Sequence, residues 1–253
     1  MEVILWVLLL IGPFLLVQRS LHREIQTVFL LLVRRAEIAL ALFSILFFPG
    51  VLLHEGSHYL AAILLRVRVG RISLLPKVIP GPSGKASRLQ LGYVETGKAD
   101  PFRDALIGAA PLLVGVVVVI YIGLSRLDLA QFSRLFLQPE NGGLASALNF
   151  LMQQPDFWLW FYLLFTISGT MMPSASDRRA WLTVALFGGL IVALALLAGA
   201  GPWLSQNLAP YLTQALNALI SALSISLAVQ LALLLPVYLL HRLLSKATGL
   251  DVA

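Results

Sequence analysis

Residues 38–65 read IALALFSILFFPGVLLHEGSHYLAAILL. A helix of this length extends about 42 Å, more than the ~30 Å hydrocarbon core of a bilayer. Glu55 is its only Asp, Glu, Lys or Arg, so the stretch predicts a membrane span. The polar residues fall together as His54-Glu55-Gly56-Ser57-His58. On a helix, positions i and i+4 share a face, so both imidazoles reach one metal ion. The glutamate beside the first histidine is placed to take a proton from an attacking water. Chance produces this arrangement in a chain of such composition on the order of once in a thousand. Ionisable groups inside a span cost roughly 2.5–3.5 kcal/mol each. A bound metal offsets that cost, whereas a His/Glu hydrogen-bonding cluster between helices has no need of the spacing.

The rest of the chain agrees with a membrane setting. Of its 253 residues 59% are hydrophobic and 12% charged, against about 25% charged in soluble domains. Soluble globular, disordered and coiled-coil classes are excluded. Cysteine is absent, which removes disulfide scaffolds and thiol catalysis. The net charge of +6 is assigned to cytoplasmic loops rather than to nucleic acid.

Further apolar runs at 3–17, 102–124, 157–172, 180–200 and 211–244 bring the expectation to about six transmembrane helices. The first is short and interrupted by Gly12-Pro13. It is read as a retained anchor, because Glu2 stands where a signal peptide carries basic residues and no cleavage site follows. Residues 18–37, with Arg19, Arg23, Arg34 and Arg35 around a brief apolar run, predict an interfacial amphipathic helix. His22 there, and His241 near the C-terminus, are read as solvated. Between the second and third spans, alternation at Val67, Val69, Ile72 and Leu74, then at Leu89, Leu91 and Tyr93, predicts two short strands. They flank a Pro/Gly/Ser-rich loop at 76–88 and form a small β-hairpin-like insertion, cytoplasmic or re-entrant. Gly81, Gly84 and Lys85 lack the spacing of a phosphate loop. Basic residues between Arg66 and Arg103, at 177–179 and in the tail place these segments in the cytoplasm. The same threading leaves basic residues 18–35 outside unless that segment re-enters. The expected fold is an all-α polytopic membrane protein: anchor and interfacial segment 1–37, metal-bearing core 38–200, C-terminal helix and tail 201–253.

Residues 38–181 resemble the site-2 protease family of intramembrane zinc metalloproteases. The resemblance implies His54 and His58 as zinc ligands, Glu55 as catalytic base and Asp177 as third ligand. The stretch SGTMMPSASD, residues 168–177, is similar through Pro173 and Asp177 to the family's N-x-x-P and D-G segment. The asparagine has no counterpart, the Pro-to-Asp spacing differs and Arg178 replaces the glycine, as in a divergent branch. Gly108-Ala-Ala-Pro111 is similar to the small-residue and proline motif beside the family's site. Topology supports Asp177 independently: the second and fourth spans end on the same side, and residues 173–176 predict a non-helical turn. His54 lies about 18 Å along the helix from Arg66, so Asp177 must be drawn inward. Two alternatives stay open: a plain charged turn at 177–179, and Asp104 as the third ligand rather than a helix first-turn charge. Asp100, Glu140 and Asp156 are candidates by type, with Asp156 on the opposite side.

The resemblance implies an intramembrane zinc endopeptidase that hydrolyses peptide bonds of transmembrane protein substrates, with Zn²⁺ as cofactor and an open fourth metal position. The expected partners are a transmembrane protein substrate and the lipid bilayer, with no nucleic acid. The setting is a prokaryotic plasma membrane, with the site towards the cytoplasm. A helical substrate presents no free carbonyl, so the strands at 67–74 and 89–94 offer an edge for an extended substrate, the role assigned to the family's strand element. An ordinary cytoplasmic hairpin is the plainer reading. Two other functions compete. A catalytically inactive helix-binding scaffold of the same fold is motivated by the departures around Asp177 and opposed by Glu55. A metal or proton transporter calls for internal repeats and charge on several spans, and neither is read in the sequence.

Overall fold

The computed structural model describes residues 2–74, 76–79, 88–138 and 143–249. Glu140 and the loop residues 80–87, with Gly81, Gly84 and Lys85, lie outside the described residues. The chain begins with α1 (Glu2–Val33) and α2 (Ala36–Leu64), then four strands, β1 (Val69–Ser73), β2 (Lys77–Ile79), β3 (Arg88–Gln90) and β4 (Tyr93–Thr96). Next come α3 (Pro101–Tyr121), continued by one π-helical turn at Ile122–Arg126, and the short α4 (Leu129–Phe136) and α5 (Gly143–Met152). The remainder is α6 (Phe157–Thr170), α7 (Trp181–Leu197), α8 (Gly201–Asn207) and α9 (Ala209–Thr248).

Four of these, α1, α2, α3 with its extension and α9, are long and apolar enough to cross a membrane. The architecture is therefore helical and polytopic with a small β insertion, and six helices of spanning length are not present among the described residues. With 14 and 17 residues, α6 and α7 extend only about 21 and 26 Å. The reason lies at the site: α6 stops at Thr170 and the next residues form a loop instead of a further helical turn.

The N-terminal region also departs from expectation. Glu2–Val33 is a single helix that runs through Gly12-Pro13, not an anchor followed by an interfacial segment. Pro13 removes one backbone donor, a loss that membrane helices tolerate. Leu21, Ile25, Val28 and Leu31 recur at helical spacing and are buried, and α9 is the main partner of α1. That stripe holds residues 18–33 in the bundle. The break comes instead at Arg34, with φ 53°.

The core gathers Phe14 and Leu21 from α1, Phe43 and Phe47 from α2, Val119 from α3, Leu164 from α6 and Leu223 from α9, all fully buried. No side chain of α7 is buried; its apolar surface points outward. The insertion is an interrupted hairpin with two rungs, not two strands around a loop: β2 lies in the stretch 76–88 expected to be loop, and the strand expected at 89–94 is divided between β3 and β4. β1 pairs antiparallel with β4, Val69 opposite Thr96 and Ser73 opposite Tyr93, and β2 pairs with β3, Val78 opposite Leu89.

Neither remote histidine is solvated. His22 packs edge-on against Phe43 and Phe47. His241 Nδ1–H donates to Glu24 Oε2 at 2.5 Å between α9 and α1, with side-chain exposures of 16% and 10%. The two residues stand 217 positions apart, so only the helix pairing brings them together. Removing His241 leaves a buried carboxylate with its main partner gone, a loss of about 2–3 kcal/mol. Unfolding of His241→Leu in micelles is expected to show that loss. Adding Glu24→Leu is expected to recover most of it, since an apolar pair of similar volume replaces a buried ion pair at little cost.

Candidate metal centre

Phe47, Gly50, Val51, Glu55 and His58 are buried along the face of α2 that enters the bundle. His54 and His58 stand one turn apart on it, with ring centroids 4.9 Å apart. The His54 Nδ1–H donates to the Thr170 carbonyl at 2.7 Å, and the His58 Nδ1–H to the Ile107 carbonyl at 2.8 Å. Each bond places a proton on Nδ1, and in the neutral ring Nε2 then carries the lone pair. Both Nε2 atoms face one carboxylate: His54 Nε2 lies 3.9 Å from Asp177 Oδ2, and His58 Nε2 3.5 Å from Asp177 Oδ1.

The three ligand atoms lie within 4.8 Å of one another, a group that can hold a metal ion. Ligands about 2.0–2.1 Å from a tetrahedral ion stand about 3.3 Å apart, so small side-chain rotations close the set. Carbonyls on the far ring nitrogens are the outer-shell partners that orient metal-ligating histidines. The donor chemistry and the hydrogen bonds behind it both fit a divalent metal.

Asp177 reaches this point because α6 ends early. Pro173 offers no amide to a preceding carbonyl and disfavours helical backbone at the residue before it. Beyond it, Asp177 Oδ2 accepts the Ser174 amide at 2.6 Å, and the Asp177 amide donates back to Ser174 Oγ at 3.3 Å. This reciprocal pair closes the turn and aims the carboxylate. Metal binding would engage Asp177 as the carboxylate.

Two glycines let the loop in. A Cβ on Gly108 of α3 would collide with the Asp177 carbonyl oxygen, and one on Gly50 of α2 with the Thr166 carbonyl and the Thr170 hydroxyl. On its far side the loop is tied by Arg179, whose Nε and Nη2 grip Asp104 at 2.8 and 2.9 Å. Asp104 thus borders the site with both oxygens engaged and stands outside the ligand group. Asp100 caps α3 by accepting the amides of Phe102 and Arg103. Asp156 precedes α6, at the end away from Thr170.

Glu55, 8% exposed, shares with the ligands a cavity of about 720 Å³. Its walls come from α2, from hairpin residues 91–96, from Asp104, Ile107 and Gly108, and from the chain after α6. The Gly92 backbone lies directly on Glu55: a Cβ there would stand 2.9 Å from Glu55 Cγ and 3.1 Å from the Ser73 carbonyl. The sequence reading does not single out Gly50, Gly92 or the carbonyls of Ile107 and Thr170. Gly50 carries a signal, a small residue one turn before the first histidine on the same face; the others carry none in residue type.

Comparison with protein-family models, with curated proteins and with solved structures finds no match to this chain.

Close backbone contact makes two glycines behave in opposite ways. Gly56, inside the His-Glu-x-x-His run, has nothing within 4 Å of an added Cβ, whereas Gly108 has the Asp177 backbone. Gly56→Ala is expected to leave divalent-metal affinity unchanged. Gly108→Ala is expected to lower it at least ~10-fold by displacing a ligand, as read by metal titration of the purified protein.

Proposed function

We propose that this chain is an intramembrane zinc endopeptidase of the site-2 protease type, acting on transmembrane protein substrates. One observation carries the reading. Two imidazoles in an apolar helix are anchored through Nδ1 to carbonyls with both Nε2 atoms turned to one carboxylate, and Glu55 lies in the same cavity. Two imidazole nitrogens and a carboxylate are a donor set of catalytic zinc, which leaves the fourth position open. When bound, Zn²⁺ polarises the scissile carbonyl and makes a water more acidic.

The chain's own residues do the rest. Glu55 accepts the proton of the attacking water and returns it to the leaving amine. Its burial under Gly92 limits access of bulk water, which strengthens the electrostatics of the site. β4 is held on one edge by β1, and among the described residues no strand pairs with its other edge. An extended substrate added there runs along the cavity wall, with its carbonyl beside Glu55 and the histidines. In this reading α6 and α7 complete six passes as short crossings that meet at the depth of the site. The hairpin and the C-terminal tail face the cytoplasm of a prokaryotic cell.

Protein purified in detergent without chelator is expected to carry about one zinc per chain. His54→Ala and Asp177→Ala are expected to lose it and Asp104→Ala to keep it. Glu55→Gln is expected to keep the metal while cleavage of a reconstituted transmembrane-helix substrate falls at least ~100-fold. Metal-replete wild type without zinc overturns the reading. Zinc without cleavage of any substrate helix puts the helix-binding scaffold in its place.

Strand addition has a separate test. Leu91→Pro and Tyr93→Pro remove backbone donors beside the cavity and are expected to abolish cleavage while zinc content stays at the wild-type level. Undiminished cleavage by these variants would remove β4 from the mechanism.

A further inference from the structure

The last four carbonyls of a helix lack partners within it. In α6 these belong to Ile167, Ser168, Gly169 and Thr170. The Met171 amide takes the first at 2.9 Å. Side chains from three other helices take the rest. Gln230 Nε2 of α9 donates to the Ser168 carbonyl at 3.4 Å, Gln18 Nε2 of α1 to the Gly169 carbonyl at 2.6 Å, and His54 of α2 to the Thr170 carbonyl at 2.7 Å. Neither glutamine borders the cavity, and Gln230 is only 1% exposed.

We propose that Gln18 and Gln230 are positioning residues of the metal centre, acting through the end of α6. The proposal rests on the reading of His54, His58 and Asp177 as a metal site. Asp177 follows Thr170 by seven residues, so the place where α6 stops determines where the carboxylate arrives. The carbonyl of Thr170 also fixes the His54 tautomer. Ser168 and Gly169 are buried, and water does not readily replace a donor lost there. A chain without the Gln18 amide satisfies the Gly169 carbonyl by rewinding or shifting the terminal turn, and both responses move Thr170 and Asp177 together. Packing leaves little freedom for a quiet adjustment, since a Cβ on Gly169 would stand 2.9 Å from the Phe47 ring and 3.2 Å from His22 Nε2.

The test uses the full chain in detergent, with Co²⁺ as the metal and its d–d absorption as the readout of ligand geometry. Gln18→Met and Gln230→Met keep side-chain length and remove the donor. Each is expected to weaken Co²⁺ binding about 10-fold or more and to change the d–d bands. Leu21→Ala, a buried neighbour in the same interface with no bond to α6, is expected to lower stability and leave the bands unchanged. Should either methionine variant fail to fold, Gln18→Asn keeps an amide one methylene short of the carbonyl and is expected to shift the same bands. Wild-type affinity and bands in the folded glutamine variants overturn the proposal while leaving the metal site standing. Failure of the wild type to bind Co²⁺ at all overturns the metal reading beneath it.

Discussion

A helix that ends within a membrane protein must find partners for its terminal carbonyls, because hydrocarbon offers none. α6 is such a helix, and the satisfaction of its end and the construction of the site are one device. The imidazole that takes the Thr170 carbonyl is His54, and the same bond leaves its Nε2 free towards Asp177. His58 makes the corresponding bond to Ile107, the residue before Gly108, whose lack of a Cβ admits the Asp177 backbone. Each histidine thereby measures the position of a neighbouring helix with one nitrogen and addresses the carboxylate with the other. A shift of α3 or α6 is felt at the ligands directly.

The close approaches explain where small residues stand. Glycine in a helix costs about 1 kcal/mol relative to alanine in water, and in a membrane bundle it is retained where backbones must meet. Gly50, Gly108 and Gly115 contact residues 166–177 from two sides, and together they fit the end of α6 between α2 and α3. Gly188 and Gly189 of α7 have nothing within 4 Å of an added Cβ, and no residue of α7 is buried. The contrast separates a helix that shapes the site from one that presents an apolar surface to its surroundings.

The parts of this structure that are legible in the sequence are those written in one continuous segment. The helix at 36–64, its two histidines on one face and the non-helical turn after residue 170 all follow from local spacing, hydropathy and Pro173. Alternation places strands near 67–74 and 89–94, but not the division of the second into β3 and β4 or the strand β2 within the expected loop. Two readings went astray where a local signal met a stronger long-range one. Residues 18–37 read as a separate interfacial segment, yet the buried stripe of Leu21, Ile25, Val28 and Leu31 carries α1 on to Val33. His22 and His241 read as solvated among charged neighbours, yet Phe43, Phe47 and Glu24 enclose them. Gln230 was legible and not taken up. It is a lone amide in the apolar run LAVQLALLLP, and such a residue in a spanning helix calls for a partner on another helix.

The arrangement of the two histidines around Asp177 carries its own energetic argument. Lone pairs on two Nε2 atoms face carboxylate oxygens at 3.5 and 3.9 Å, and partial negative charges at that range repel most strongly where water is scarce. A proton on His58 relieves one contact and leaves His54 directed at the same carboxylate without a donor between them. Rotating a ring away would break its Nδ1 bond to the Thr170 or Ile107 carbonyl. The hydrogen bonds behind the rings therefore enforce a concentration of electron pairs that a proton satisfies only in part. A divalent cation held between them would satisfy both nitrogens and the carboxylate at once. A helix-packing cluster would have turned these lone pairs towards donors. Here the Nδ1 bonds to Thr170 and Ile107 turn both rings towards one carboxylate, the arrangement of a group that can hold a metal ion.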